Sequence, residues 1–428
     1  MTDTRTLRTA VVPATEPDTR SDERRLRVIT IVLAFACGAS VANLYYAQPL
    51  LSLIGHSFGV GRGTATIVVT ATQIGYAVGL ALLLPLGDLL ENRRLASRTL
   101  LLTAVALAVA AFAPDLWAFL VVSVLIGVTS VVAQILVPLM AHLAPPDARG
   151  KYVGQVTSGL LLGIMLARSI ASFAAAAWGW RSIYEISAVL MVLTSVTLIK
   201  VLPARQPDHT ARYADLLAST ISLARTEPVL VRRALTQACM FGSFTAYWTA
   251  VAYELIDHHH LTQNGVAVFA LVGAAGAATA PIAGRLGDAG HSVGARVVAL
   301  VLAIAAMALA GFGASSLILL ALAGVLLDFA VQSHQVLSLR DIYALRGDAR
   351  ARINSVYMTS IFVGGAITSA VTGALLDAWG WTGVTIFAAI LPAAGTLLWL
   401  EGRAHEHSPR SGDGAARDTT RQSAQPTR

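Results

Sequence analysis

The sequence predicts an all-α integral membrane protein with twelve transmembrane helices in two pseudo-symmetric six-helix bundles. Three observations predict it. Of the 428 residues, 55% are hydrophobic and only 13% are charged, whereas a soluble domain carries about 25% charge. The apolar residues come in long blocks such as Leu100–Ala113 and Val297–Ala310, and runs of roughly 17–25 residues with few charges read as membrane-spanning helices. Landmarks also recur about 200 residues apart. In lipid only helices and closed barrels satisfy their backbone groups, and these Ala- and Leu-rich runs are too long for barrel strands.

Taken in order, the apolar runs place spans at 28–54, 64–87, 97–114, 116–142, 152–177 and 182–202 in the first half. The second half has runs at 230–256, 263–286, 293–313, 315–341, 353–376 and 381–401. Residues 1–27 are polar and Arg-rich, without the apolar core and cleavage site of a signal peptide, and read as a cytoplasmic tail before a retained first span. Residues 28–202 and 230–402 are the two bundles. Residues 203–229 are a polar cytoplasmic linker, and 403–428, rich in Ser, Gly, Thr and Arg, read as a disordered cytoplasmic tail.

The formal charge of +7 is explained by topology, not by nucleic acid. Arg93, Arg94 and Arg98 follow span 2, and Arg149 and Lys151 follow span 4. Arg205, Arg212, Arg225, Arg232 and Arg233 lie between spans 6 and 7, and Arg346, Arg350 and Arg352 follow span 10. The opposite loops hold only Arg62 and Arg181. By the positive-inside rule both termini are cytoplasmic. Cys37 and Cys239 fall inside spans and read as buried free thiols. The run Glu254–His260 reads as a solvated loop, and no metal or cofactor motif, Walker loop or catalytic triad order is present.

The repeat is concrete. "PLGDLLENRR" (Pro85–Arg94) is matched by "GRLGDAGHS" (Gly284–Ser292), so Asp88 and Asp288 stand 200 apart. "DARGK" (Asp147–Lys151) is matched by "DARAR" (Asp348–Arg352), and "WGWRS" (Trp178–Ser182) by "WGWTG" (Trp379–Gly383), each at an offset of 201. Parallel repeats of this kind mark secondary transporters, whose substrate site lies near mid-membrane between the halves.

These residues resemble the major facilitator superfamily over the whole hydrophobic chain. Its signature after span 2, roughly G-x-x-x-D-[RK]-x-G-[RK]-[RK], appears here as Leu84, Asp88, Glu91, Asn92, Arg93 and Arg94, with both glycines displaced. Gly284 and Asp288 keep part of the second copy, where Ala289 replaces the basic residue. "GWRSIY" after span 5 is similar to the end of a motif of the drug:proton antiporter branch. "NLYYAQPLL" (Asn43–Leu51), "LLDFAVQSHQ" and "RINSVYMTSIFVGG" resemble a bacterial group of efflux-type members. The resemblance implies that spans 1, 4, 7 and 10 line a central cavity. It also implies that Asp88, Arg93, Arg94 and Asp288 form a cytoplasmic gate, the carboxylate capping a helix or pairing across the halves.

Helical spacing agrees with polar stripes on those spans. Asp328, Gln332 and Gln335 share one face of span 10, and Ser123, Gly127, Ser130 and Gln134 one of span 4. Span 7 carries Gln237, Phe241, Phe244 and Trp248 on one stripe and Ser243, Tyr247 and Glu254 on another. Span 1 offers Asn43, Tyr45, Tyr46 and Gln48. Each of these groups lines the cavity or makes an interhelical hydrogen bond. Asp328 lies roughly 20 Å into its span at about 1.5 Å per residue, where an ionised group costs at least about 2.5–3.5 kcal/mol. It either carries a proton or a substrate, or holds helices together. Arg168, on span 5, either binds an anionic group, senses the charge of a carboxylate or is a static counter-ion.

The reading is a proton-coupled secondary transporter in a bacterial inner membrane, exporting a small organic molecule such as a drug, antibiotic or metabolite. Uptake of a sugar or other solute by proton symport is the alternative, and a membrane enzyme or sensor the remote one. Its partners are the substrate, protons and the lipid bilayer; the chain is expected to be a monomer and not an enzyme.

Overall fold

The computed structural model describes residues 19–204, 212–273, 292–346 and 349–407. The described residues form helices and no strand. In the first half these are α1 (Thr19–Ala42), α2 (Leu51–Phe58), α3 (Arg62–Leu82), α4 (Asn92–Ala111), α5 (Leu116–Thr129), α6 (Val132–Leu143), α7 (Arg149–Trp178) and α8 (Ser182–Val201). A short helix α9 (Tyr213–Thr226) precedes α10 (Pro228–Asp257), α11 (Gln263–Gly273), α12 (Ser292–Phe312), α13 (Leu317–Leu345) and α14 (Arg350–His407).

Nine helical stretches among the described residues are long and apolar enough to cross a membrane. The difference from twelve has identifiable origins. The stretch Arg350–Glu401 has 52 residues, enough for two passes at about 1.5 Å per residue, and it is broken at Gly380. α10 is 30 residues long but carries polar side chains on its buried faces. The eighth expected span is described only as far as Gly273.

Two expected spans are interrupted within their length, and span 2 ends in a 3-10 turn at Leu84–Asp88. Span 1 stops at Ala42 and resumes through a 3-10 turn at Gln48–Leu50 before α2. Pro49 has no N–H to donate and disfavours helix in the residue before it. The irregular backbone at Asn43–Ala47 is buried inside the protein, the one setting in which non-helical backbone is tolerated at such depth. Span 4 is divided at Ser130–Val131. There Gln134 N bonds to Val131 O (2.9 Å), so the Ser130 carbonyl is released to accept from Ser40 Oγ on α1 (3.1 Å). The polar linker also contains a helix, α9, which its composition did not indicate.

The 201-residue offset has a backbone counterpart. Gly179 and Gly380 both sit at positive φ, 88° and 60°, a conformation that glycine adopts without a Cβ penalty. Each turns the chain at the end of a long helix. The preceding tryptophans, Trp178 and Trp379, are 74% and 71% exposed, while the following ones turn inward. Trp180 packs on Phe58, Phe119 and Tyr184, and Trp381 donates to Ala310 O (2.9 Å).

Contacts between turns sort into two ends. At the end bearing the arginines, Arg93 reaches Leu202 O (3.5 Å), Tyr213 donates to Leu82 O (2.8 Å), Arg352 to Ser219 Oγ, and Arg346 pairs with Glu227 (3.9 Å). At the opposite end Arg62 pairs with Asp257 (2.9 Å), Gly63 N donates to Asp377 Oδ2 (3.0 Å), and Gln263 Nε2 donates to Pro49 O (3.0 Å) and Ser172 Oγ (3.1 Å). The run Glu254–His260 is therefore helical to Asp257 and ties the halves together; its His259 bonds Ala314 O (2.7 Å).

Large apolar side chains such as Leu102, Val105 and Val109 on α4 point outward, as a lipid-facing ridge requires. Between helices, where lipid is as apolar as leucine, association depends on close backbone packing at small residues. Gly127 on α5 lies directly against Thr72 O and Tyr76 N of α3, with no room for a Cβ. Gly127→Ala should lower the thermal midpoint of the purified protein, in line with an overpacking cost of about 1–3 kcal/mol. Gly150→Ala, where a Cβ meets open space, serves as the control. Equal midpoints for the two variants would refute tight α3–α5 packing.

Candidate functional site

The break in span 1, the C-terminal part of α7 and the facing surfaces of α10 and α13 converge on two charges. Asp328 and Arg168 are each only 2% exposed. Asp328 Oδ1 accepts from Trp248 Nε1 (2.9 Å). The Arg168 guanidinium lies over the ring of the same tryptophan, 4.3 Å from its centroid, and over Phe244 (4.9 Å) and Tyr45 (5.1 Å). Its Nε donates to Gln48 Oε1 (2.8 Å). Trp248 thus touches both charges, which also act on each other electrostatically. Gly273 of α11 closes the other side: a Cβ there would stand 3.4 Å from Asp328 Oδ2.

Local sequence explains the arrangement. Phe244 and Trp248 are four apart on α10 and share a face. Pro49 and the break before it present Tyr45 and Gln48 from a segment that a continuous helix would have rotated away. Magnitudes then decide how the cation is held. A desolvated cation–π contact contributes about 2 kcal/mol or more, while burying an ion costs several kcal/mol even after relaxation. The three rings and one amide together offset a cost of this size, and the opposite charge of Asp328 adds to the balance.

The structure brings together Asp328, Arg168, Tyr45, Gln48 and Trp248 from the predicted set. Tyr247 stands at the edge of this group, and the remaining residues lie elsewhere. Asn43 Oδ1 accepts from Ser187 Oγ (2.7 Å) and the Tyr46 hydroxyl meets the same serine (3.5 Å), so both face α8. Tyr247 donates to Leu320 O (2.7 Å), and its ring braces Trp248 edge-on (5.3 Å). Gln134 lies between the halves, accepting from Asn354 Nδ2 (3.2 Å) and donating to the Tyr76 hydroxyl (3.5 Å). Gln332 and Gln335 are half-buried farther along α13, Gln335 beside Met358 Sδ (4.0 Å). Ser123 bonds the carbonyl of Phe119 in its own helix (2.7 Å), and Gly127 packs on α3.

Of the predicted gate, Arg93 and Arg94 both pair with Glu91, at 3.0 and 2.8 Å. Arg93 also reaches Leu202 O (3.5 Å). The side chain of Asp88 and all of Asp288 lie outside the described residues.

Two buried polar groupings bring together residues whose pairing the sequence did not indicate. His334 Nδ1 bonds Gln237 Oε1 between α13 and α10. Arg296 on α12, 2% exposed, shares Asp341 with Arg233, at 2.7 and 3.1 Å. Gln237 and His334 each lie within an amphipathic stripe or a polar run, a signal available in principle. Arg296 and Asp341 sit near span ends, where charges read as topological, so nothing in the sequence separates them from the surface arginines.

Comparison with known proteins agrees with this architecture. The sequence pattern described as Major Facilitator Superfamily matches residues 31–336 and 233–426. The chain is 38% identical over 375 residues to "Uncharacterized transporter YgaY" of Escherichia coli O157:H7, covering 87% of this chain and 95% of that protein. It is 32% identical over 362 residues to "Probable transporter SCO4007" of Streptomyces coelicolor, covering 84% of each. In fold it is similar to the human organic anion transporter MFSD10 (TETRAN), with a TM-score of 0.65 at 17% identity, over 90% of this chain and 100% of that one. The helical bundle, its internal repeat and these matches make the chain a multi-pass membrane protein that belongs to the major facilitator superfamily of transporters.

Proposed function

We propose that this transporter is proton-coupled and moves a small organic molecule across the bacterial inner membrane, with its basic end and both termini in the cytoplasm. Asp328 loads and releases the proton, and Arg168 reads its charge through Trp248. Export is the direction implied by resemblance to the efflux branch, with the two halves rocking about the central site. The observation that carries this reading is the pair of buried, opposite charges touching one tryptophan. An arginine keeps its charge at any physiological pH, so within the pair only the carboxylate can cycle.

A second reading, proton symport, is favoured by the same contact. Neutralising Asp328 deprives Arg168 of its counter-ion and primes the cation for an anionic partner, so that proton and substrate travel together. Addition of substrate to vesicles containing the protein distinguishes the two: antiport moves protons against the substrate's direction and symport moves them with it.

Asp328→Asn retains an acceptor for Trp248 Nε1 but cannot ionise. It should lose gradient-driven accumulation in reconstituted vesicles while still exchanging substrate for substrate. Wild-type accumulation by this variant would remove Asp328 from coupling. At Arg168 the charge and the planar fork are separable. Arg168→Lys should keep partial transport, and Arg168→Met, inserted and stable, should have none. A fully active Met variant at matched expression would show that this charge takes no part in transport.

A further inference from the structure

Two donors beside the Asp328–Trp248–Arg168 contact have no acceptor within the protein. Arg168 Nη2 and Gln48 Nε2 are both buried and unpartnered, on residues that are 2% and 0% exposed. They are neighbours, because Gln48 Oε1 already accepts from Arg168 Nε (2.8 Å). That bond orients the amide so that its NH₂ and the guanidinium both present hydrogen. Native proteins rarely leave such groups orphaned, and one left so in a cleft calls for an explanation.

The surroundings give a chemical answer. Beside Arg168 and Trp248 lie Val251, Leu255, Val266 and Phe269, all apolar. The pattern is one cation and one amide donor next to an apolar wall. It fits a ligand with a planar, two-oxygen anionic head and an apolar body: a guanidinium recognises carboxylate through parallel N–H···O bonds, and the apolar body covers the wall. In this conformation the space there is about 10 Å³, no more than one water, so the ligand enters when the helices part.

We infer that the substrate is an amphipathic monocarboxylate whose carboxylate binds between Arg168 and Gln48. This rests on the transporter reading above and deepens it. It also fixes the relation to Asp328, which competes with the ligand for the charge of Arg168. The charged and titratable groups facing Asp328 among the described residues are Arg168 of α7, Tyr45 of the span 1 break and Tyr247 of α10, together with the Trp248 donor. Only Arg168 is a cation, so removal of the Asp328 charge frees it for the ligand.

The test is calorimetric titration of the purified full chain with three probes of similar size: benzoate, benzamide and benzylammonium. Benzoate should bind the wild type about tenfold or more tightly than benzamide, equivalent to about 1.4 kcal/mol or more, and benzylammonium should not bind. Asp328→Asn should tighten benzoate by roughly tenfold and leave benzamide unchanged. Gln48→Glu keeps the acceptor for Arg168 Nε but replaces the free donor with an anionic oxygen, and should abolish benzoate binding. Arg168→Met should abolish the preference for benzoate; should that variant not fold, Gln48→Glu decides. Equal binding of benzoate and benzamide, or benzoate binding unaffected by Gln48→Glu, would overturn the carboxylate site. Because binding is read directly, these outcomes are independent of whether transport is proton-coupled. A protein that binds benzoate as described yet shows no proton-coupled flux would keep the site and refute the coupling.

Discussion

Arg168 brings a permanent charge into the interior of a bundle surrounded by lipid, and the helices around it are arranged by the need to compensate that charge. The break in span 1 delivers Tyr45 and Gln48, α10 delivers Phe244 and Trp248, and α13 delivers the opposing carboxylate. None of these contacts is strong enough alone. Together they make the position of one helix depend on the charge state of another, because Trp248 can serve both charges only while α7 and α13 keep their distance from α10.

Much of this was legible in one dimension. Composition and block length gave the membrane class, and the paired Trp-Gly-Trp landmarks gave the repeat. Their glycines share positive φ and their flanking tryptophans share an in-and-out pattern. Asp328 and Arg168 stood out because a charge inside an apolar run is expensive wherever the helix faces. Phe244 and Trp248 were visible as one helical face.

What could not be read was mostly backbone and mutual position. The apolar run of span 1 continues straight through Asn43–Ala47, and hydropathy is blind to a change of dihedral; Pro49 was the only sign. That break turns Asn43 and Tyr46 toward Ser187 and Gln48 toward Arg168, so residues close in sequence divide between two environments. Arg93 and Arg94 were expected in a gate with Asp88, whose side chain lies outside the described residues; both pair with Glu91, two and three residues away.

The fastening at the end opposite the arginines has a quantitative consequence. Arg62 and Asp257 are 49% and 30% exposed, and an ion pair in water contributes only about 0–1 kcal/mol. The neighbouring Gly63 to Asp377 bond is also exposed, and a single hydrogen bond contributes about 0.5–1.5 kcal/mol net. The Gln263 bonds to Pro49 and Ser172 and the close packing of Gly63 on Gly373 add to these at the same end, so each single bond is a small part of the closure. Removing any one fastening at this rim therefore costs little, because the closure is shared among several bonds and packed backbones and rests on none of them alone.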